Sequence, residues 1–547
     1  MAGPFPSSYL DIVRNSGAQL ETGIQHGKLK PVFLWHLILF TIVPLSALLI
    51  PRRKATRYVR PLFLVLVFRL AIAAIRYRRA QLGANGYMIG LMSAWWFIWS
   101  ATLLLFNDAE RDFLRIERKS MESGKTADVP SKRPAQNGNG HAPYKDKLHD
   151  AILAKDNATP HAEFLVWQPY PHALPKRLNW ALGLVYNMRG TEWNWRLPGL
   201  DPVPLSVDSQ LKSGTQSRRF QPLRKACTQW PDARTCVRTA ATDCLKYALL
   251  LDVIKVLMMH DRYFWGITHE HTTTPFSSDQ ILLASTRYLY RFVLTGLGVH
   301  VAVVFVTLFN PLIFLGLSLA FPNASRSLTA APLDAPWLYP DMFGPFLTPI
   351  INDGLAGAWG VWWHQLFRFG FVSAGTWLVS FLPAHLSANR FVKRLALTLT
   401  AFTLSGLVHA CGSYTQIRDT DPISGTMIFF LLQFVGITLQ ESLSRFVVPG
   451  LSRFTSKKAP SDKPLPRWLC RSANASFAFL WLFLTGRFIM DDFARGGLWL
   501  TEPLPVSPLR GLGLGPGVPG EGFWVWRQPW FQYWDGGSFW ERGIRVL

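Results

Sequence analysis

Acidic residues, cysteines and formal charges in general are scarce in this chain. Asp and Glu number 34 against 57 Lys and Arg, only 17% of residues are charged, and 547 residues hold five cysteines. Cys227, Cys236, Cys244, Cys411 and Cys470 form no C-x-x-C pair and are odd in number. That count argues against a zinc site of the usual spacing and against a complete disulfide framework. No histidine is followed four positions later by Asp, no G-x-S-x-G occurs, and His269-Glu270-His271 lacks the i, i+4 pairing of H-E-x-x-H. The usual signatures of a serine hydrolase and a metallohydrolase are therefore missing.

Long apolar runs are what the chain has instead, with 49% hydrophobic residues, 23 Trp and 38 Phe. Pro31 to Ile50 and Tyr87 to Phe106 each run twenty residues without a formal charge. At about 1.5 Å rise per residue, a helix of that length spans a hydrocarbon layer of about 30 Å. Further runs at 292–321, 369–386, 395–411, 427–440 and 475–490 bring the expectation to eight to ten membrane segments in an all-α, polytopic membrane helical bundle. In 292–321, Asn310-Pro311 is expected to break the helix. The first run meets Arg52, Arg53 and Lys54 with no small-residue cleavage site, so it is expected to stay as an anchor.

The net charge of +23 concentrates beside these runs, at Arg52 to Arg60, Arg76 to Arg79 and Arg390 to Arg394. Such flanking charge orients membrane helices, and it needs no nucleic-acid partner. Composition divides the chain into N-terminal membrane helices (1–114), a flexible polar linker (115–163), a core (164–510) and a Gly/Pro- and Trp-rich tail (511–547). Within the tail, Gly511 to Gly520 carries prolines where a phosphate loop would open a helix, so it reads as a loop; Phe523 to Trp540 suits an aromatic belt at headgroup level.

Two histidines in apolar surroundings are the candidate chemistry. His364 lies in Ala-Trp-Gly-Val-Trp-Trp-His-Gln-Leu-Phe-Arg (358 to 368) and His409 in Ser-Gly-Leu-Val-His-Ala (405 to 410), with a hairpin expected between them. A neutral imidazole is a suitable base near neutral pH, so His409 suits removal of an alcohol proton. A continuous helix through the first block would set His364 and Arg368 on one face, and pair Trp359 with Trp363 as an aromatic wall. The competing reading for any membrane histidine is a hydrogen bond between helices, which is the expectation for His36 and His300. A proton-coupled transporter is a second class such residues permit.

These blocks resemble the wax synthase branch of the membrane-bound O-acyltransferases, and within it the fungal acetyltransferases of terpenoids and meroterpenoids. The family's F-W-G-R-R-W-H-Q-like block is similar to 358–365 at Trp359, Gly360, Trp363, His364 and Gln365, and its S-G-x-x-H block at Ser405, Gly406 and His409. An R-G-x-x-W-N-W element is matched by Arg189, Gly190, Trp193, Asn194 and Trp195, and Asp491 to Gly497 is similar to the family's C-terminal end. Ala358, Val361 and Trp362 depart from the family's Phe, Arg and Arg, so no phosphate-binding role carries over to them.

The resemblance implies a membrane-bound O-acyltransferase fold and an acyl-CoA-dependent reaction, with acetyl-CoA as co-substrate, no bound cofactor and no metal. His409 is implied as the catalytic histidine and His364 as a second site residue. Trp359, Gly360, Trp363, Gln365, Arg368, Ser405, Arg189 and Asn194 are expected to position substrate or CoA. The implied partners are the bilayer, a lipophilic alcohol and acyl-CoA, in the endoplasmic reticulum. The nearest rival activity is long-chain wax or sterol ester synthesis.

Overall fold

The computed structural model describes residues 8–120, 163–212, 230–268, 282–447 and 466–547. His269-Glu270-His271 and residues 121–162 of the polar linker lie outside the described residues. The first described helices are α1 (Tyr9–Gln25), α2 (Leu34–Leu49), α3 (Val59–Tyr77) and α4 (Tyr87–Ala101). They are followed by α5 (Leu174–Tyr186), α6 (Ala233–Met259) and α7 (Leu282–Asn310). The last five are α8 (Leu347–Gly357), α9 (Arg368–Val379), α10 (Arg390–Tyr414), α11 (Ile428–Ser442) and α12 (Arg467–Arg495).

Six helical stretches among the described residues are long and apolar enough to cross a bilayer: Lys54–Tyr77, Tyr87–Phe106, Ala284–Ala320, Arg390–Tyr414, Pro422–Arg445 and Arg467–Arg495. The chain is thus a multi-pass helical membrane protein, with fewer full-length spans than the eight to ten expected. One missing span is α2, which loses length because residues 30–33 are a strand. Another is α9, whose twelve residues cover about 18 Å, too short to cross alone. The expected hairpin between the two histidines therefore has one short arm. Asn310-Pro311 does not break its helix either: the chain passes through a π-helical turn at Pro311–Leu315 and continues to Ala320. Such a turn absorbs the missing proline donor without ending the helix.

Burial separates the spans into two kinds. In Tyr87–Phe106, 72% of the span is buried inside the protein, against 17% for Lys54–Tyr77, whose Leu62, Val65, Leu66 and Phe68 face outward. The Tyr87 helix lies in the interior, packed between α3 and α10. Trp95 and Trp99 of α4 join Trp180, Trp193, Trp195, Phe371 and Val408 in the main core. Trp180 meets Trp193 edge-on at 4.9 Å and Trp195 stacks on Phe369 at 4.1 Å. Contacts of this kind contribute about 0.5–1.5 kcal/mol each beyond area burial.

Two small sheets modify the helical plan. β1 (Lys30–Phe33) pairs in parallel with β2 (Arg78–Arg79). The expected linker opens with a strand, β3 (Arg115–Ser120), antiparallel to β4 (Glu163–Gln168). Residues 512–520 are turn and coil, and further on β5 (Phe531–Asp535) and β6 (Arg542–Val546) form a hairpin, with β6 pairing with β1. A four-stranded sheet in the order β2-β1-β6-β5 thus ties residues near both ends together.

Candidate active site

Helix α10 carries His409 and lies against α4 in the most extensive helix pairing of the fold. Small residues permit this approach. A Cβ added at Gly90 would stand 1.8 Å from the Cys411 carbonyl oxygen, and one at Gly412 would meet the Tyr87 ring at 2.9–3.1 Å. Close backbone contact through glycine is how membrane helices gain packing where no hydrophobic drive separates protein from lipid. Thr415 adds a clasp, its hydroxyl donating to the Gly86 carbonyl at 2.9 Å and accepting from the Gly90 amide at 2.9 Å.

This packing brings the Tyr87 hydroxyl to 2.6 Å from His409 Nδ1. On its face, the imidazole stacks on Phe430 of α11 at 4.5 Å and 15°. Nε2 has no hydrogen-bond partner among the described residues. Ser405 lies one helical turn earlier, on the same side of α10.

His364 reaches the site by a different local structure. Helix α8 kinks at Gly354 (φ +60), where the Gln440 side chain occupies the space a Cβ would need and accepts from the Leu355 amide at 3.0 Å. The chain then makes a π turn over Ala358–Trp362, extends at Trp363 and re-enters helix only at Arg368. His364 therefore sits in a non-helical break, and the expected helical face shared with Arg368 does not exist. The break leaves carbonyls that need donors inside the protein. Gln365 donates to the carbonyls of Trp359 and Trp363, and Arg368 Nη1 donates to the Gly360 carbonyl at 2.6 Å and to Gln365 Oε1 at 2.8 Å. Both amide ends of Gln365 are thus engaged in holding the break.

The aromatic wall is present, though not built on helix periodicity. Trp359 meets Trp363 edge-on at 5.9 Å and packs on Phe402, Phe429 and Phe430, the last being the ring under His409. A side chain at Gly360 would meet no atom within 4 Å, so open space borders the loop there. His364 lies against Phe343, Trp363 and Phe367, with its Nδ1 buried and without a hydrogen-bond partner among the described residues. Burial, and secondarily the charge of Arg189, lowers its pKa to about 4. His364 is therefore neutral at pH 7. Ring contacts join the two blocks in one site: His364 meets Trp363, Trp363 meets Trp359, and Trp359 packs on Phe430, the ring under His409.

The upstream element divides. Arg189 is brought near His364, its guanidinium donating to the carbonyls of Pro340 and Asp341. Asn194 is not: its amide accepts from Leu114 N at 3.1 Å and donates to the Asp112 carbonyl at 2.7 Å, tying one loop to another. The late stretch grips the turn after α10. Asp492 accepts from the Asp421 amide at 2.7 Å, and Asn85 donates to the Gly496 carbonyl at 2.6 Å. His36 and His300 depart from expectation. His36 Nδ1 accepts from the Phe33 amide at 2.9 Å within its own helix start, and His300 Nδ1 is buried without a partner beside Phe343.

Sequence reasoning missed Tyr87 and Phe430. Tyr87 stands at the head of an apolar run, and only Gly90 and Gly412 signal the close approach that aims it.

The class these features define is a polytopic helical membrane protein with a buried histidine pair. Residues 339–432, which hold both histidines, match the membrane bound O-acyl transferase family. Among characterised proteins the chain is similar to an O-mevalon transferase of Penicillium terrestre, 25% identical over 318 residues, covering 56% of this chain and 62% of the relative. An O-mevalon transferase of Aspergillus niger is 27% identical over 322 residues, covering 56% and 60%. An acetyltransferase of Hericium erinaceus is 27% identical over 238 residues, covering 43% and 54%. The similarity thus spans about three fifths of the first two relatives. No solved structure matches. The resemblance to this family and to its fungal members, drawn from the two histidine blocks, is borne out.

Proposed function

We propose that the protein is an acyl-CoA-dependent O-acyltransferase that moves acetyl from acetyl-CoA to a hydroxyl of a lipophilic secondary metabolite, a terpenoid or meroterpenoid. The observation that carries this reading is the pair of imidazoles linked through Trp363, Trp359 and Phe430, His409 having no partner at Nε2 among the described residues, within the family-matched segment. The acetyl assignment is supported by the Hericium erinaceus relative, named an acetyltransferase.

In the reaction, His409 Nε2 takes the hydroxyl proton as the alcohol oxygen attacks the thioester carbonyl. The carbon–sulfur bond then breaks, and the imidazolium returns the proton to the departing CoA sulfur. His364 is neutral, and with its Nδ1 buried and unpartnered, an Nε2–H is the donor it offers to the oxyanion. Gln365 offers no donor to the oxyanion because both amide N–H groups already meet carbonyls. Arg368, Gln365 and Arg189 position the loop. Trp359, Trp363 and the space at Gly360 supply apolar walls for the acceptor, and Ser405 flanks the base. A membrane bundle lets the apolar alcohol enter from lipid while the polar donor enters from water, which holds together two reactants that share no solvent. The endoplasmic reticulum is the proposed location.

The test gives microsomes acetyl-CoA or palmitoyl-CoA together with terpenoid or fatty alcohols, with products read by mass spectrometry. Acetyl esters of the terpenoid alcohols are expected. Preference for palmitoyl-CoA and a fatty alcohol would replace the acetyl reading with wax ester synthesis.

A further inference from the structure

We propose that Tyr87 is a positioning residue for the reaction, its hydroxyl fixing the ring and tautomer of His409 so that Nε2 faces the acceptor as a base. This rests on His409 being the base. The hydroxyl lies 2.6 Å from Nδ1, and the two residues come from helices 322 positions apart in the chain. For Nε2 to accept a proton it must carry the lone pair, so Nδ1 must carry the hydrogen and donate it to the Tyr87 oxygen. Which ring nitrogen is protonated is set by the bond the other one makes.

The phenol oxygen has lone pairs to accept that N–H, and it continues to accept as the ring becomes imidazolium. Phe430, stacked at 4.5 Å, limits the ring's rotation, so the hydrogen bond at Nδ1 and the stack together fix where Nε2 points.

A plain tie between helices would also use such a bond, but this contact has structural support that already holds α4 to α10 without it. Gly90 meets Cys411, Thr415 clasps Gly86 and Gly90, and the Tyr87 ring lies over Gly412 and edge-on to Phe493 at 5.3 Å. Removing only the hydroxyl leaves all of these in place. The tie is redundant for packing, and the ring nitrogen is what loses its partner.

Tyr87→Phe keeps the ring and deletes the oxygen. The expected result is a fall in kcat on the order of 10- to 100-fold, the range seen when a group that orients a histidine is lost. KM for donor and acceptor should stay within about two-fold, and the thermal midpoint in detergent should move little, since a single neutral hydrogen bond is lost. Wild-type kcat in Tyr87→Phe, a loss that appears only in KM, or a loss that merely matches a fallen folded fraction overturns the positioning role. His409→Ala, assayed in parallel, separates the two ideas: wild-type turnover there refutes the base assignment itself, whereas an inactive His409→Ala beside a fully active Tyr87→Phe refutes only the role of Tyr87.

Discussion

Around Lys255, Glu502 and Arg510 every buried charge meets a partner, whereas around His364 and His409 ring nitrogens are left without one. Arg510 makes a bidentate pair with Glu502 at 2.9 and 2.6 Å, and its Nε donates to Ser507 at 3.0 Å. Lys255 donates to the carbonyls of Trp499 and Thr501 and stands 3.6 Å from Glu502. Tyr9 closes the knot by donating to Glu521 at 2.7 Å. Burial works against the Glu502 carboxylate, but Lys255 and Arg510 outweigh it and hold its pKa below the ordinary value. Burial likewise brings Lys255 down to about 8, with Glu502 opposing. At the histidines there is no such compensation: His364 Nδ1 is buried and bare, and burial keeps the ring neutral.

Satisfied buried charge ties α1, α6 and the segment after α12 to one another. An unpartnered imidazole nitrogen costs stability, and in the proposed site a substrate would complete the bonding.

Three substitutions break or sharpen this contrast. The largest effect on stability is expected for Arg510→Ala, which leaves Glu502 short of its bidentate partner at a cost of about 3–5 kcal/mol. The thermal midpoint in detergent should fall while turnover per folded molecule stays unchanged. Lost turnover at an unchanged midpoint would erase the distinction between the two regions.

Next is His364→Ala, expected to lower kcat about 100-fold, equivalent to about 2.7 kcal/mol of transition-state stabilisation, with the midpoint preserved. Wild-type rates would reassign His364 to packing. Smaller still is Gly90→Ala, whose Cβ would sit 1.8 Å from the Cys411 carbonyl oxygen and force α4 away from α10. Overpacking of this kind costs about 1–3 kcal/mol. Because the shift also strains the Tyr87 contact, activity should fall further than the folded fraction does. Parallel losses in the two would show that the helix approach serves stability alone.

Much of this was legible in the chain because it is written locally. Apolar runs free of charge mark membrane helices wherever they occur, and Ser405, Gly406 and His409 lie on one continuous helix, so their spacing survives folding. The block at 358–368 shows the limit of that logic. Periodicity assumed a helix through Trp363, but the π turn and extended residue there turn Gln365 and Arg368 toward the loop's own carbonyls. Tyr87 could not be read at all, because its meaning depends on a helix 322 positions away. The tail hairpin was out of reach for the same reason: the partner of β6 is β1, far away in the sequence.

The account depends most directly on the imidazole at position 409. Ester formation from acetyl-CoA and a terpenoid alcohol, followed by mass spectrometry in membranes holding equal amounts of wild-type protein and His409→Ala, measures it. Abolished ester formation at unchanged abundance is the predicted result. Product at the wild-type rate from His409→Ala would contradict it.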